Sequence, residues 1–289
     1  MATQDLNLEK RTHTRSEERE QEDRFYTPVI VKRIDQSVRH PDDTLQKAIH
    51  EGLRQHDRTT TSLFLSAIAA GMILGFAAMA VSVGAQIPGE IATAVDRRLA
   101  MAILYPFGFI VCIMSGTQLF TEQTATAIYP FLDRKIGVLS LLRVWLVVLA
   151  GNLLGALVSS YLISSSDPVI LAHDGYNYIA KHLLEFSSPQ LFLSAVLAGW
   201  LMAQGGWLIV ATPPASSQIV CIYVVTFIIG IGGLHHSIAG AAEAFCYAFL
   251  NEGSDWGAVM KFVAVASLGN LLGGSLFVGV LNYGHIKST

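Results

Sequence analysis

The sequence predicts an all-α membrane protein with six transmembrane helices in two inverted three-helix repeats, helices 2 and 5 being interrupted. Three observations lead there. Only 14% of the 289 residues are charged and 52% are hydrophobic, with a mean hydropathy of +0.47, whereas soluble domains carry about 25% charged residues. Six apolar segments are each long enough to cross a hydrocarbon core of about 30 Å. A short glycine-asparagine motif also occurs twice, each copy following a glycine-containing break at nearly the same distance.

Charge divides the chain. Residues 1–61 hold 11 of the 19 Lys and Arg and 12 of the 22 Asp and Glu. A polar, partly disordered arm over 1–60 and a transmembrane domain over 61–285 follow. The net charge of −3 gives no reason to invoke nucleic acid. Cys112, Cys221 and Cys246 lie singly in apolar runs and read as packing residues. No signal peptide is expected, since the first apolar run starts only near Ser62. No nucleophile–base pair, metal cluster or phosphate loop emerges, so neither an enzyme nor a cofactor or metal site is expected.

Within the arm, residues 1–40 are mostly polar and read as disordered or as a solvated helix. Pro41-Asp42-Asp43-Thr44 marks a helix start, and Leu45, Ile49 and Leu53 make one apolar stripe. The stripe suits the membrane face, the mouth of a pore, or packing beneath a bundle. The spans fall at about 62–85, 99–120, 137–163, 190–211, 218–250 and 258–282. The fifth is too long for one crossing, and the second runs into Ser115-Gly116-Thr117-Gln118-Leu119-Phe120-Thr121-Glu122. Lys47, Arg54 and Arg58 precede the first span, Arg134 and Lys135 follow the second, and Lys287 closes the chain; Arg97, Arg98, Lys181 and Lys261 lie in opposite loops. This bias places both termini in the cytoplasm. Trp145, Trp200, Trp207 and Trp256 read as interface or packing residues, and Arg143 as a headgroup-seeking residue.

The repeat pairs Gly151-Asn152-Leu153-Leu154-Gly155 with Gly269-Asn270-Leu271-Leu272-Gly273. Gly116 precedes Asn152 by 36 residues and Gly233 precedes Asn270 by 37. Three spans per half is an odd number, so the halves enter the membrane in opposite orientations, the pattern of transporters and channels. Each break ends one half-helix and starts another, whose unpaired N–H groups and positive end suit an anion. The paired glycines, four residues apart, predict close helix packing.

The second break, Gly230-Ile231-Gly232-Gly233-Leu234-His235-His236-Ser237, is followed by Glu243. An ionised group at the centre of a bilayer costs about 2.5–3.5 kcal/mol or more. His235, His236, Glu243 and Glu122 are therefore candidate pore residues, and a His/Glu pair is suited to exchanging a proton near neutral pH.

Leu119-Phe120-Thr121 after a glycine, His236-Ser237-Ile238-Ala239 in the broken fifth span, Arg143-Val144-Trp145, and Gly269-Asn270 before Leu-Leu-Gly-Gly resemble the formate/nitrite transporter family over about residues 42–285. The resemblance implies an aquaporin-like fold, a homopentamer in contact with membrane lipid, and one pore per protomer for a small monovalent weak-acid anion. It implies a bacterial inner membrane. By matching position it makes His236 the central histidine, Thr121 the threonine of the break in the second span, and Asn270 a pore-facing asparagine. Phe109, Leu119, Phe120 and Ile229 become apolar constriction residues, with Tyr105 beside them. The implied logic is an anion drawn into a vestibule, then crossing a dry constriction as the neutral acid or with a proton supplied near His236.

The chain is a divergent member by this resemblance. Gly240 stands where the family has an asparagine, Ala203 where a polar residue is usual, and Ser187 or a neighbour where a lysine is expected, Lys181 being the nearest substitute. His235 replaces an acidic residue, and Glu243 and Glu122 have no counterpart. Two other readings are a channel for a neutral small solute and a non-conducting membrane scaffold or sensor whose arm binds a partner.

Overall fold

The computed structural model describes residues 38–87 and 94–288. Most of the arm expected to be disordered, residues 1–37, lies outside the described residues. Helix α1 spans Pro41–Asp57, with proline at its first turn and Asp42 and Asp43 near its positive end. The first span is α2, Thr60–Gly84. The second is built from α3, Ala94–Leu104, α4, Pro106–Met114, and α5, Phe120–Thr126. Pro106, which lacks an N–H, marks the junction of α3 and α4. After the single turn α6, Tyr129–Leu132, the third span α7 covers Val138–Ser165.

The second half follows the short turn α8, Asp167–Ile170, and the loop helix α9, His173–Leu184. The fourth span is α10, Ser188–Ala211. The fifth divides into α11, Ala215–Gly232, and α12, Ser237–Leu250. The sixth runs through α13, Trp256–Gly274, a π-helical stretch Ser275–Val280 and α14, Leu281–Lys287. Six stretches are long and apolar enough to cross a membrane. The architecture is thus all-α, with inverted three-span repeats and both interruptions where the sequence predicts them.

In each half the first span packs on the third through glycines. A Cβ at Gly151 would stand 2.6 Å from the Cβ of Ala67, and one at Gly269 equally 2.6 Å from that of Ala195. Gly155 lies against the Ile68 carbonyl and Gly273 against that of Val196, with no room for a methyl group. Such backbone-to-backbone approach supplies helix association in lipid, where dispersion and not water exclusion drives packing. Outward positions such as Leu65, Leu146, Leu193 and Leu268 are exposed apolar side chains.

The stripe on α1 packs beneath the bundle. Leu45, Ala48 and Ile49 join Tyr129, Ala203, Val278 and Ile286 in one apolar cluster, with Leu53 at its edge. Arg143 does not reach for headgroups in the way its position suggests. Its guanidinium donates to the backbone carbonyls of Arg58, at 3.1 Å, and His56, holding the corner between α1 and α2. Asp133 accepts from Tyr283 Oη at 3.0 Å and pairs with Lys135 at 3.0 Å and Lys287 at 3.5 Å, tying the loop before α7 to α14. Burial works against the ionised carboxyl, but these partners outweigh it and hold its pKa below the usual carboxylate range.

Helix α9 is the element that periodicity did not single out. It buries Tyr176, Ile179, Ala180 and Leu183 over the end of the bundle opposite α1. Arg97 lies over the Tyr178 ring at 5.6 Å, so the two loops bearing Arg97 and Lys181 share that end.

Candidate functional site

The two breaks have the same local construction. Gly116 (φ +69°) and Gly233 (φ +59°) turn the chain in the left-handed region that glycine enters without strain. Three residues follow, ending at Leu119 (φ −99°, ψ 124°) in one half and His236 (φ −92°, ψ 126°) in the other, each the N-cap of the next half-helix.

An asparagine from the third span of each half holds its break. Asn152 Oδ1 accepts from the Phe120 N–H at 2.8 Å, and its Nδ2 donates to the carbonyls of Gln118 and Ala67, both at 2.8 Å. Asn270 Oδ1 accepts from the Ser237 N–H at 2.7 Å, and its Nδ2 donates to His235 O at 3.1 Å and Ala195 O at 2.7 Å. Asn270 was expected to face a pore. Its amide is instead committed to backbone, because broken backbone at this depth must find partners inside the protein. Asn152, its twin, does the same work; the repeat itself pairs the two.

His236 is 1% exposed. Its Nδ1 accepts from the N–H groups of Ile238, at 3.2 Å, and Ala239, at 3.1 Å. Two donors on Nδ1 require the ring proton to sit on Nε2, which lies 2.7 Å from Thr121 Oγ1 in the other half. The Nε2–H therefore donates to the threonine oxygen, leaving the threonine's own O–H to donate elsewhere. The first N–H groups of α12 were expected to be unpaired. Asn270 takes that of Ser237 and His236 takes the next two, since a desolvated N–H without an acceptor is costly.

Two cavities approach this pair from opposite ends. The α1-side cavity, ≈ 710 Å³, is lined by Arg39, Lys47, Arg54 and Arg58 with Glu51, and its floor includes Thr117, Gln118 and Glu122. The α9-side cavity, ≈ 90 Å³, is lined by Arg98, Tyr105, His182, Ile229, His236 and Glu243, among others. Of the residues expected at a constriction, Tyr105 and Ile229 border the smaller cavity, while Phe109, Leu119 and Phe120 border neither and are buried between the two. The Phe109 ring meets that of His236 edge-on, centroids 5.0 Å apart, and Tyr105 lies against Phe109 at 4.9 Å. Thr121 is likewise fully buried.

His235 borders neither cavity. It stacks on His182 at 5.4 Å, and Ser194 Oγ lies 2.8 Å from its Nδ1. Glu122 and Glu243 face the α1-side and α9-side cavities respectively, with no hydrogen bond or ion pair among the described residues.

The departures noted in the sequence have packing reasons. A Cβ at Gly240 would stand 2.5 Å from Phe262 Cζ, so an asparagine there requires that ring to shift. Ala203 is 1% exposed within the apolar cluster under α1. Ser187 is the N-cap of α10, its hydroxyl donating to Gln190 Oε1 at 2.7 Å. The basic rim of the larger cavity was not foreseen, because its members sit in a segment read as a solvated arm.

The description "Formate/nitrite transporter" matches residues 42–284. The chain belongs to the formate/nitrite transporter family. The chain is 30% identical over 253 residues to "Inner membrane protein YfdC" of Escherichia coli, covering 83% of this chain and 79% of that protein. It is also 30% identical over 258 residues to "Formate-nitrite transporter 3" of Toxoplasma gondii, covering 86% of this chain and 51% of that one. Among solved structures, an "FNT family ion channel" superposes with a TM-score of 0.73 at 20% identity, covering 86% of this chain and 99% of the other. A "Pentameric formate channel with formate bound" gives 0.67 at 21% identity, covering 80% and 98%. The formate/nitrite transporter fold and the six-span membrane architecture therefore describe this chain, a member of a transporter family.

Proposed function

We propose that this protein is a channel for small monovalent anions of weak acids, formate and nitrite being the leading candidates, acting as a homopentamer in a bacterial inner membrane with both termini in the cytoplasm. The observation that carries the reading is the donor pair His236–Thr121 at the join of the two breaks, between apolar side chains and with a cavity on either side. The basic rim of the α1-side cavity concentrates anions by its field. Phe109, Leu119 and Phe120 exclude a hydrated ion. The Thr121 O–H, freed by the His236 Nε2–H, offers one directed hydrogen bond where hydration is lost.

In this reading His236 orients a donor. Protonating its Nδ1 would set a new N–H against the two backbone N–H groups already there, so the ring is built to stay neutral. The supporting names are those of relatives: formate and nitrite appear in the family description, and a pentamer appears in a structural neighbour.

A neutral-solute channel is the second reading, favoured by the uncharged barrier and the two cavity carboxyls. Flux into proteoliposomes separates them. Formate or nitrite uptake, lost in His236→Ala, supports the anion channel; uptake of undissociated solutes alone, with no response to any weak-acid anion between acid and neutral pH, removes it.

A further inference from the structure

We propose that Glu122 and Glu243 are the proton carriers of this channel, one on each side of the dry barrier, and that they exchange protons with the permeant. The inference rests on the weak-acid anion reading above. An anion that crosses an apolar barrier as its neutral acid needs a proton before the barrier and must lose one after it. His236 does not meet that need, because its Nδ1 is closed by two N–H donors and its remaining proton is committed to Thr121. Losing that proton would leave an imidazolate.

The carboxyls have the required placement. Glu122 follows Thr121 directly and faces the inner end of the α1-side cavity beside Gly206. Glu243 lies seven residues beyond His236, on the same face of α12, and borders the α9-side cavity with it. Neither is held by an ion pair or a hydrogen bond among the described residues. A carboxyl serving the structure alone would have its oxygens satisfied, since an unpaired buried charge is costly.

The surroundings of each group are defined. Glu243 is faced by Arg98 and Tyr105 from the second span, Tyr178 and His182 from α9, and His236 from the break, with Val81 from the first span adding no charge and the third and sixth spans no lining residue. Tyr176, from α9, and Cys246, on the same helix, lie within electrostatic reach. Arg39, Lys47, Glu51, Arg54 and Arg58 line the same cavity as Glu122, and Cys112 from α4 lies within its electrostatic reach. Glu122 thus shares a cavity whose charged lining is mainly cationic, whereas Arg98 is the one permanently charged residue lining the cavity of Glu243 besides that carboxyl.

The step balances. On the uptake side the glutamic acid O–H bond breaks and an O–H bond forms on the anion, giving carboxylate and neutral acid. The acid crosses and gives the same proton to the carboxylate on the far side. Each carboxyl then re-equilibrates with cavity water, so one anion and one proton move together. A protonated carboxyl also removes the charge that would repel the incoming anion.

The test is formate uptake by proteoliposomes carrying an internal pH dye, comparing wild type with Glu122→Gln and Glu243→Gln. Glutamine keeps the shape and carries no proton. At neutral pH each variant should lose about a hundredfold in rate, the low end of what a positioned proton donor contributes. At acid pH, where bulk water supplies formic acid, the variants should converge on wild type, and the Asp variants should retain intermediate rates at neutral pH. Glutamine variants that match or exceed wild type at neutral pH would overturn the proposal, the carboxyls then acting by charge alone. Because wild type still conducts in that outcome, it is distinct from failure of the anion reading, in which wild type moves no weak-acid anion at any pH. If a variant does not assemble, infrared difference spectra of wild type decide: a carboxylic C=O band must change when formate is added, and its absence sinks the idea.

Discussion

Thr121 Oγ1 and His236 Nε2 stand 2.7 Å apart, the first in one repeat and the second in the other. The bond joins the two half-helices that begin at the breaks, so the donor that the proposed channel offers a permeant would be assembled from both halves. Thr121→Val removes the hydroxyl while keeping the shape. The permeant meets this hydroxyl as the neutral acid, to which a hydrogen bond is worth about 0.5–1.5 kcal/mol, so formate flux should fall by about twofold to tenfold, and Thr121→Ser should retain most of it. Equal flux in the valine variant would show that the hydroxyl does not meet the permeant.

Asn152 and Asn270 should be equally costly to replace, although only one precedes the histidine-bearing half-helix. Substitution by leucine orphans one N–H and two carbonyls in each case. Each buried unsatisfied group costs about 1–3 kcal/mol, so a loss of about 3 kcal/mol or more is expected from either change. Thermal unfolding in detergent reads it. A large drop for Asn270→Leu beside none for Asn152→Leu would mean the first break is held by other groups.

Gly240→Asn recreates the residue usual in the family, and the structure predicts that it harms this chain. The new Cβ meets Phe262 at 2.5 Å, and overpacking of a filled core costs about 1–3 kcal/mol. The double change with Phe262→Ala should recover part of the lost thermal stability. Full stability of the single variant would show that Phe262 moves aside freely.

His56 gives a pH dependence outside the spans. Its Nε2 donates to Ala127 O at 2.9 Å, and its Nδ1 accepts from Ser140 Oγ at 2.9 Å. Burial, with Arg143 nearby, holds its pKa below 6.5, against the opposing effect of the Ala127 bond. The unfolded state therefore takes up the proton first as pH falls, so stability present above 6.5 is lost on acidification below it. Proteolysis within α1 should accelerate as pH falls below 6.5, and His56→Gln should flatten that response. An unchanged slope in the variant would assign it to another group.

The spans were legible because a run of apolar residues long enough for a bilayer has few other uses. The breaks were legible because Gly116 and Gly233 sit at matching distances from Asn152 and Asn270. The direction of a polar side chain within a break is not written in the sequence, which is why Asn270 read as pore-facing. Helix α9 was missed because Tyr176, Ile179 and Leu183 alternate with Asn177, Lys181 and His182, leaving no apolar run. The basic rim was missed for a related reason: Arg39, Lys47, Arg54 and Arg58 gather at one mouth only once α1 folds back under the bundle.

The matched asparagines have one more consequence, at the positions they leave alone. Leu119 and His236 occupy the same place in the two halves, yet one is a hydrocarbon and the other a base. The asparagines grip only main chain, so their hold on each break does not depend on what the N-cap carries, although the His236 ring adds two N–H acceptances of its own. Leu119 caps nothing and α5 still forms. The grip on each break and the side chain presented at its N-cap are thus written in separate residues, and the first break shows that a half-helix forms there without a capping side chain.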